Sequence, residues 1–323
     1  MDPLTHALVG AAVGWAAGGR RLGRRALAVG AVAGLLPDLD VFIRSASDPL
    51  LAIEHHRGFT HSFALVPAGG VVAALLAGGR HERRAAIVAG MLAYLTHPLL
   101  DAATTYGTQL FWPLLDTRVG LDIISIVDPI FTLIALIACI AAWRDRPRIV
   151  HAALALALVW LGVGFVQRER ASAAQMRLAA ERGDRIERAA VFPTIGNTLV
   201  WRSLYATNGT LRMDRIRVPW LGATSVAEGP AVPDARPRRD ATAVRDLRRF
   251  VWFSDGWIAR DPADASLLGD ARYSLHAGRY APVWGIRLRP RTEWVNRSRE
   301  RRVSLAETWA EIAGTDPAFR VLR

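Results

Sequence analysis

The chain contains no lysine: all 41 of its basic residues are arginines, set against 29 acidic residues for a formal net charge of +12. So basic a chain raises the possibility of nucleic acid. No zinc-finger or RNA-binding motif accompanies the arginines, and charge alone carries little specificity, so no nucleic-acid partner is expected. Cysteine is nearly absent as well. The single Cys139 sits in an apolar run, which excludes an intrachain disulfide and says little about redox compartment. The opening MDPLTHALVG lacks the positive stretch of a signal peptide, so the chain is expected to stay attached through its own helices. Internal repeats and low-complexity tracts are also missing.

Hydrophobic residues make up 51% of the chain, and they are unevenly spread. Up to about position 166 apolar runs alternate with short charged interruptions; beyond it, arginines and acidic residues occur throughout. The expected fold is therefore a multi-pass α-helical membrane domain over 1–166, followed by a soluble α+β domain over 167–323. Six apolar segments can be drawn, roughly 4–18, 26–43, 60–79, 86–102, 123–143 and 149–166. A full crossing needs about 20 residues. The third and fifth meet this comfortably, and the second, fourth and sixth lie near the lower limit. The first is short and rich in Gly and Ala, and is expected to enter part-way or to be covered by its neighbours. Small residues throughout permit close helix packing.

In the polar half, 167–190 reads as a polar helix interrupted at Gly183. TLVWRSLYA (198–206) and TLRMDRIRV (210–218) alternate like strands, and the Asn-Gly between them suits a hairpin turn. A proline-rich loop (229–240), a helix within 241–259 ending before Gly256, and strand-like text over 273–290 follow. Trp201, Tyr205, Trp252, Trp257 and Trp284 could face headgroups or support a core.

Arginine-dense turns fall at Arg20–Arg25, Arg83–Arg84 and Arg144–Arg148, with sparser connections at 44–59 and 103–122. The positive-inside rule puts the dense turns in the cytoplasm. Thr5 and His6, Asp38 and Asp40, the run HHRGFTHS (55–62), His97 and Asp101, and Asp122 and Asp128 then gather at the opposite, outer face. His81 and His151 fall on the arginine-rich side as ordinary polar positions. Ionisable groups near a bilayer core are expensive and mark pairing, transport or catalysis. Neutral imidazole and carboxylate suit zinc and related divalent ions. His97 and Asp101, four apart, share a helical face, with Pro98 placed to bend or start that helix. Asp38 and Asp40 could end a helix or hold an ion.

MDPLTHALVG, LLPDLD, HHRGFTHS and THPLLDAATTYGTQLFWPL resemble the bacterial family of membrane-bound, YdjM-like metal-dependent hydrolases. VFPTIGNTLVW (191–201) and GDARYS (269–274) resemble landmarks of its longer members. The resemblance carries over to His6, Asp38, Asp40, His56, Arg57, His61, His97 and Asp101, and implies hydrolysis without naming the bond. The expected ligands are His6, Asp38, Asp40, His56, His61, His97 and Asp101, around one or two divalent ions, with zinc favoured over manganese or magnesium. Asp38 or His56 would serve as the base and Arg57 would face developing charge. A site at headgroup depth suggests a membrane phospholipid or lipid-linked substrate cleaved at a phosphate ester, with an acyl ester as the alternative. The expected location is the bacterial cytoplasmic membrane, with the site and C-terminal domain outside. A transporter would need polar residues continuing across the membrane, and a noncatalytic scaffold would rely on the tail alone. Protein partners are left open.

Overall fold

The computed structural model describes residues 1–79, 82–237, 245–276, 278–288, 290–300 and 304–322. The chain divides into two compact units: Met1–Ile43 with His55–Phe165, and Arg44–Glu54 with Val166–Arg323.

All six apolar segments contain helix. Asp2 starts α1 (Pro3–Leu22): its carboxylate accepts the Thr5 amide and Pro3 occupies the first turn, where its missing N–H is harmless. Gly23 ends α1 at positive φ (56°), and α2 (Arg25–Leu35) follows. Small residues set the approach of these two helices. A Cβ on Gly14 would lie 2.7 Å from the Gly30 Cα, so a side chain at either point would push the helices apart.

Beyond α2 the backbone tightens into a 3-10 turn, Leu36–Phe42, with Pro37 at its start and Asp38 and Asp40 within it. A short helix, α3 (Leu51–His55), and two 3-10 turns, Phe59–His61 and Phe63–Leu65, lead into α4 (Val66–Ala77). The third apolar segment, 60–79, therefore begins at a bend: Phe63–Ala77 meets the preceding Leu51–His61 at 56°.

Next come α5 (Arg83–Ala102), which carries Pro98 inside it, and α6 (Pro129–Trp143), capped by Asp128 through the Phe131 amide at 2.9 Å. The last, α7, runs unbroken over Pro147–Glu181, so the polar helix expected from 167 is a continuation of the sixth apolar segment. Gly183, at φ 70°, lies just past its end.

Among the described residues, α5 and α7 are long and apolar enough to cross a membrane, and the bent pair makes a third if it counts as one span. Six complete crossings are more than these lengths support, because α2, α4 and α6 are short. The first unit nevertheless has two distinct ends. Arg21 pairs with Glu82 at 3.9 Å, and the Arg24 guanidinium lies 4.4 Å over the Trp143 ring, which gathers the arginine-rich turns at one end. His151 bonds the Pro147 carbonyl near that end; His81 lies outside the described residues.

The second unit is α+β. Strands β1 (Arg188–Pro193), β2 (Val200–Thr207), β3 (Thr210–Arg217) and β4 (Ser225–Ala227) pair in order, and β5 (Ala231–Pro233) pairs with β3. The expected hairpin is present: Thr207 faces Thr210, with Asn208 and Gly209 at φ 48° and 73°. Helix α8 (Arg245–Phe253) occupies part of the expected 241–259 helix, whose residues 241–244 lie outside the described ones. A second antiparallel sheet holds β6 (Ile258–Asp261), β7 (Asp264–Asp270), β8 (Trp284–Arg287) and β9 (Glu293–Asn296). Then α9 (Leu305–Ala313) leads to β10 (Arg320–Val321) beside β4. Among the described residues of the strand-like run over 273–290, strand forms at β8, with an isolated bridge between Ser274 and Pro282.

Alternation along β2 gives the first sheet two apolar faces. Trp201 packs with Ala171, Ala174 and Leu178 of α7, while Leu204 and Ala206 pack with Trp257, Ala259 and Ala271. Trp201, Tyr205 and Trp257 are therefore core residues, and Trp252 and Trp284 are half-buried.

Candidate metal centre

Four side chains meet inside the first unit. The end of α5 supplies His97 and Asp101 from one face, the 3-10 turn after α2 supplies Asp38, and the turn Phe59–His61 supplies His61. Each offers one atom within 4.8 Å of the others. The two Nε2 atoms of His61 and His97 are 3.0 Å apart. Asp101 Oδ2 lies 3.1 Å from the first and 3.4 Å from the second; Asp38 Oδ1 lies 3.7 and 3.5 Å from them. Donors about 2.0–2.1 Å from a tetrahedral zinc are separated by roughly 3.3–3.4 Å. The observed separations scatter about that value.

Hydrogen bonds at the far side of each ring decide which way its lone pair points. His97 Nδ1 donates to the Gly34 carbonyl at 2.7 Å, leaving Nε2 as the electron-pair donor. The Thr60 hydroxyl donates to Asp40 Oδ2 at 3.1 Å and so accepts from His61 Nδ1 at 3.0 Å, which leaves the His61 Nε2 lone pair facing inward too. Two imidazole lone pairs and two carboxylate oxygens thus face a common point. Asp101 Oδ2, fully buried, accepts no hydrogen bond there, and the Arg57 Nε at 3.1 Å is its cationic neighbour. A divalent cation fits this donor set, because it supplies the positive partner that four converging lone pairs require. The chemistry of the donors does not select zinc over manganese or magnesium.

The other expected ligands are placed around this core. His6 stacks on His97 with ring centroids 3.6 Å apart, and its Nε2 reaches Asp101 Oδ1 at 3.1 Å. It steadies Asp101 rather than joining the four. Asp40 turns outward: it bonds His56 Nδ1 at 2.8 Å and receives the Arg57 amide at 2.8 Å, besides Thr60. That places it behind His61 as an orienting carboxylate. Asp38, Asp40 and His56 also form a second group of three donors within 4.8 Å.

Arg57 is 3% exposed and lies deeper than a purely substrate-facing residue would. Its Nε sits 3.1 Å from Asp101 Oδ2 and its Nη1 bonds the Thr104 hydroxyl at 2.7 Å. The Met1 amino group contacts Asp101 Oδ1 as well. His55 ends α3 with its ring edge-on to Phe59 and belongs to neither donor group. Asp128 caps α6 and accepts from Trp160 at 3.1 Å; Asp122 sits at φ 55° in the preceding loop.

Several contributors have no clear mark in the sequence. The Gly34 carbonyl orients His97, yet a backbone group has no side-chain signature. Tyr94 bonds the Thr60 carbonyl and so holds the turn that carries His61; its position three residues before His97 was a usable signal. The Tyr106 ring lies 4.9 Å from the Arg57 guanidinium and 5.3 Å from that of Arg118, edge-on to His56.

Every residue of this centre falls within residues 1–171, which match the family described as YdjM inner membrane protein. The chain is 35% identical over 121 residues to Inner membrane protein YbcI of Escherichia coli (strain K12), covering 36% of this chain and 69% of that protein. It is 29% identical over 153 residues to Uncharacterized protein YfhP of Bacillus subtilis (strain 168), covering 44% of this chain and 46% of that protein. The chain thus spans just over two thirds of the first relative's length and under half of the second's. No solved structure matches.

Proposed function

The chain belongs to the YdjM family of inner membrane proteins, and from that membership and its four converging donors we propose that it is a metal-dependent hydrolase of a membrane phospholipid or lipid-linked amphiphile, acting at a phosphate ester. The observation that carries this reading is the buried set of Asp38, His61, His97 and Asp101. A divalent ion held there, with zinc the first candidate and manganese or magnesium also compatible, would supply Lewis acidity toward water and a phosphoryl oxygen.

The chain's own residues have separable tasks. His61, His97 and Asp101, all buried, would hold the ion, and Asp38, 22% exposed, is the donor of the four that solvent reaches. His56 is 28% exposed at its side chain and is held through Nδ1 by Asp40, so its Nε2 is the ring nitrogen that can accept a proton from water. Asp38 is the alternative base. Arg57 compensates the Asp101 charge, and with Arg118 it brings positive charge to the Tyr106 side of the centre, which suits a phosphate group.

The arginine-rich end of the first unit lies opposite the helix ends that bear the centre. With those arginines in the cytoplasm, the centre faces outward and α7 carries the C-terminal domain to the outer side.

The test is incubation of purified protein with a bacterial lipid extract, with and without chelator, followed by mass spectrometry of the products. A metal-dependent loss of one phospholipid class with release of its phosphorylated headgroup or phosphate supports the reading. Release of fatty acid instead would move the assignment to an acyl ester. Absence of metal-dependent turnover of any lipid would overturn it.

A further inference from the structure

We infer that the loop between β3 and β4, with Trp220 and Leu221 at its tip, is a membrane-interface anchor that inserts into the lipid headgroup layer where α7 leaves the bilayer. The inference does not depend on the metal centre or on its chemistry.

It begins with an anomaly in exposure. The second unit buries Trp201 and Trp257 completely or nearly so, yet leaves Trp220 51% and Leu221 91% exposed, followed by Gly222 at φ 96°. Tips of soluble loops carry small and polar residues that solvate the turn. A tryptophan and a leucine side by side on such a tip call for an apolar or interfacial neighbour.

The structure fixes where that tip sits. The carbonyl of Val218 accepts from Gln167 Nε2 at 2.8 Å, and that of Pro219 accepts from Arg170 Nη2 at 2.7 Å. Gln167 is fully buried and also donates to the Thr198 carbonyl at 3.1 Å, so the 194–199 loop is tied to the same turn of helix. Gln167 directly follows the apolar stretch 149–166 of α7, a helix long and apolar enough to cross a membrane. The loop is therefore fastened about one helical turn, roughly 5.4 Å, beyond the end of a spanning stretch. That is the depth at which tryptophan is enriched in membrane proteins.

The polar residues around it suit the same neighbour. Arg168, on this turn with a third of its side chain exposed, pairs with Glu169 at 2.6 Å and is the guanidinium placed to meet a lipid phosphate, while Arg170 and Arg217 donate to the Pro219 and Ile312 carbonyls. Continuity with the span selects a lipid surface over a soluble protein partner. The opposite end of α7 provides an internal control. Arg185, exposed just after the helix ends, lies about 20 Å further along the axis at 1.5 Å per residue.

The experiment uses the full chain with Cys139→Ser and a single new cysteine, either Leu221→Cys or Arg185→Cys. Each is labelled with an environment-sensitive fluorophore and reconstituted into phosphatidylcholine vesicles containing phosphatidylglycerol. The label at 221 is expected to emit to the blue of the label at 185. It should be quenched by nitroxide-bearing lipids, and be several-fold less accessible to aqueous iodide. Equal iodide access at both positions would overturn the inference. So would protection at 221 that ignores nitroxide lipid and grows with protein-to-lipid ratio, since that result would put a second copy of the chain against the loop.

Discussion

In the C-terminal unit, Asp270 and Arg272 are both buried and meet at 2.8 Å, Asp261 meets Arg297 at 2.9 Å, and Asp214 meets Arg182 at 2.7 Å. In the N-terminal unit, Asp38, Asp101, His61 and His97 point lone pairs at one another, with Arg57 and the Met1 amino group set against Asp101. Both units bury charge, but among the described residues only the first has His and Asp donors converging on a point. Closed pairs hold a fold in register; beside the Asp214–Arg182 pair, burial pushes the Tyr205 hydroxyl up to about 12, so across neutral pH it remains a donor to Asp184. Converging lone pairs raise the energy of the folded chain until a cation joins them. The contrast separates charge already paired within the fold from charge arranged so that a cation could join it.

The sharpest way to break the contrast is Asp101→Asn, which keeps the shape and removes one anionic donor. Bound metal, measured by elemental analysis on purified protein, is expected to fall by more than the ~10–100-fold in affinity that outer-shell partners carry. Hydrolysis should disappear with it. A folded variant that retains stoichiometric metal would remove Asp101 from the donor set.

Asp270→Ala is the corresponding lesion in the closed pair. It leaves the buried Arg272 without its carboxylate and should cost about 3–5 kcal/mol of stability in the C-terminal unit. Metal content should stay at the wild-type level. Replacing the pair together, Asp270→Leu with Arg272→Met, should recover much of that loss, because neither charge is then stranded. Thermal unfolding followed by tryptophan fluorescence reads both variants. Loss of metal in Asp270→Ala would show that the two kinds of charge are coupled.

Asp40→Asn tests a residue between these extremes. Asp40 sits behind His61 and accepts from Arg57, His56 and Thr60. Its amide oxygen can still accept some of these bonds, but the carboxylate charge that holds Thr60, and through it His61, is gone. Metal affinity is expected to weaken by ~10–100-fold, with the metal recovered at higher concentration. Titration with a competing chelator measures it. No change would place Asp40 outside the working centre.

Much of this was legible in the sequence, for identifiable reasons. Histidine and aspartate are conspicuous in apolar text, so His61, His97, Asp38 and Asp101 could be picked out before any geometry was known. The Asn208–Gly209 turn was legible because its positive φ values favour those residue types. The separation of the four converging donors from the residues packed around them was not. Asp38 and Asp40 have the same side chain two positions apart, and only the 3-10 turn Leu36–Phe42 aims one inward and the other at His56. The continuity of α7 past position 166 was hidden because its face toward the sheet uses Ala171, Ala174 and Leu178 within otherwise polar text. The bend at the start of the third segment was hidden because hydropathy alone does not distinguish a straight helix from one interrupted at 56°.

The smallest expected effect belongs to His55, and it bears most directly on how the motif HHRGFTHS should be read. Composition treats its three histidines alike, whereas the structure puts His61 among the four donors, His56 in the second group, and His55 in neither. His55 ends α3 with its ring centroid 6.4 Å from that of Phe59. His55→Ala should therefore change metal affinity by no more than about twofold, the scale of a ±0.5 kcal/mol surface substitution. His56→Ala should weaken it more, and His61→Ala should abolish stoichiometric binding. Measuring the three variants against one chelator tests their order. Equal losses at His55 and His61 would mean that the whole histidine run closes on the ion, and the division between inward and outward faces of this turn would fail.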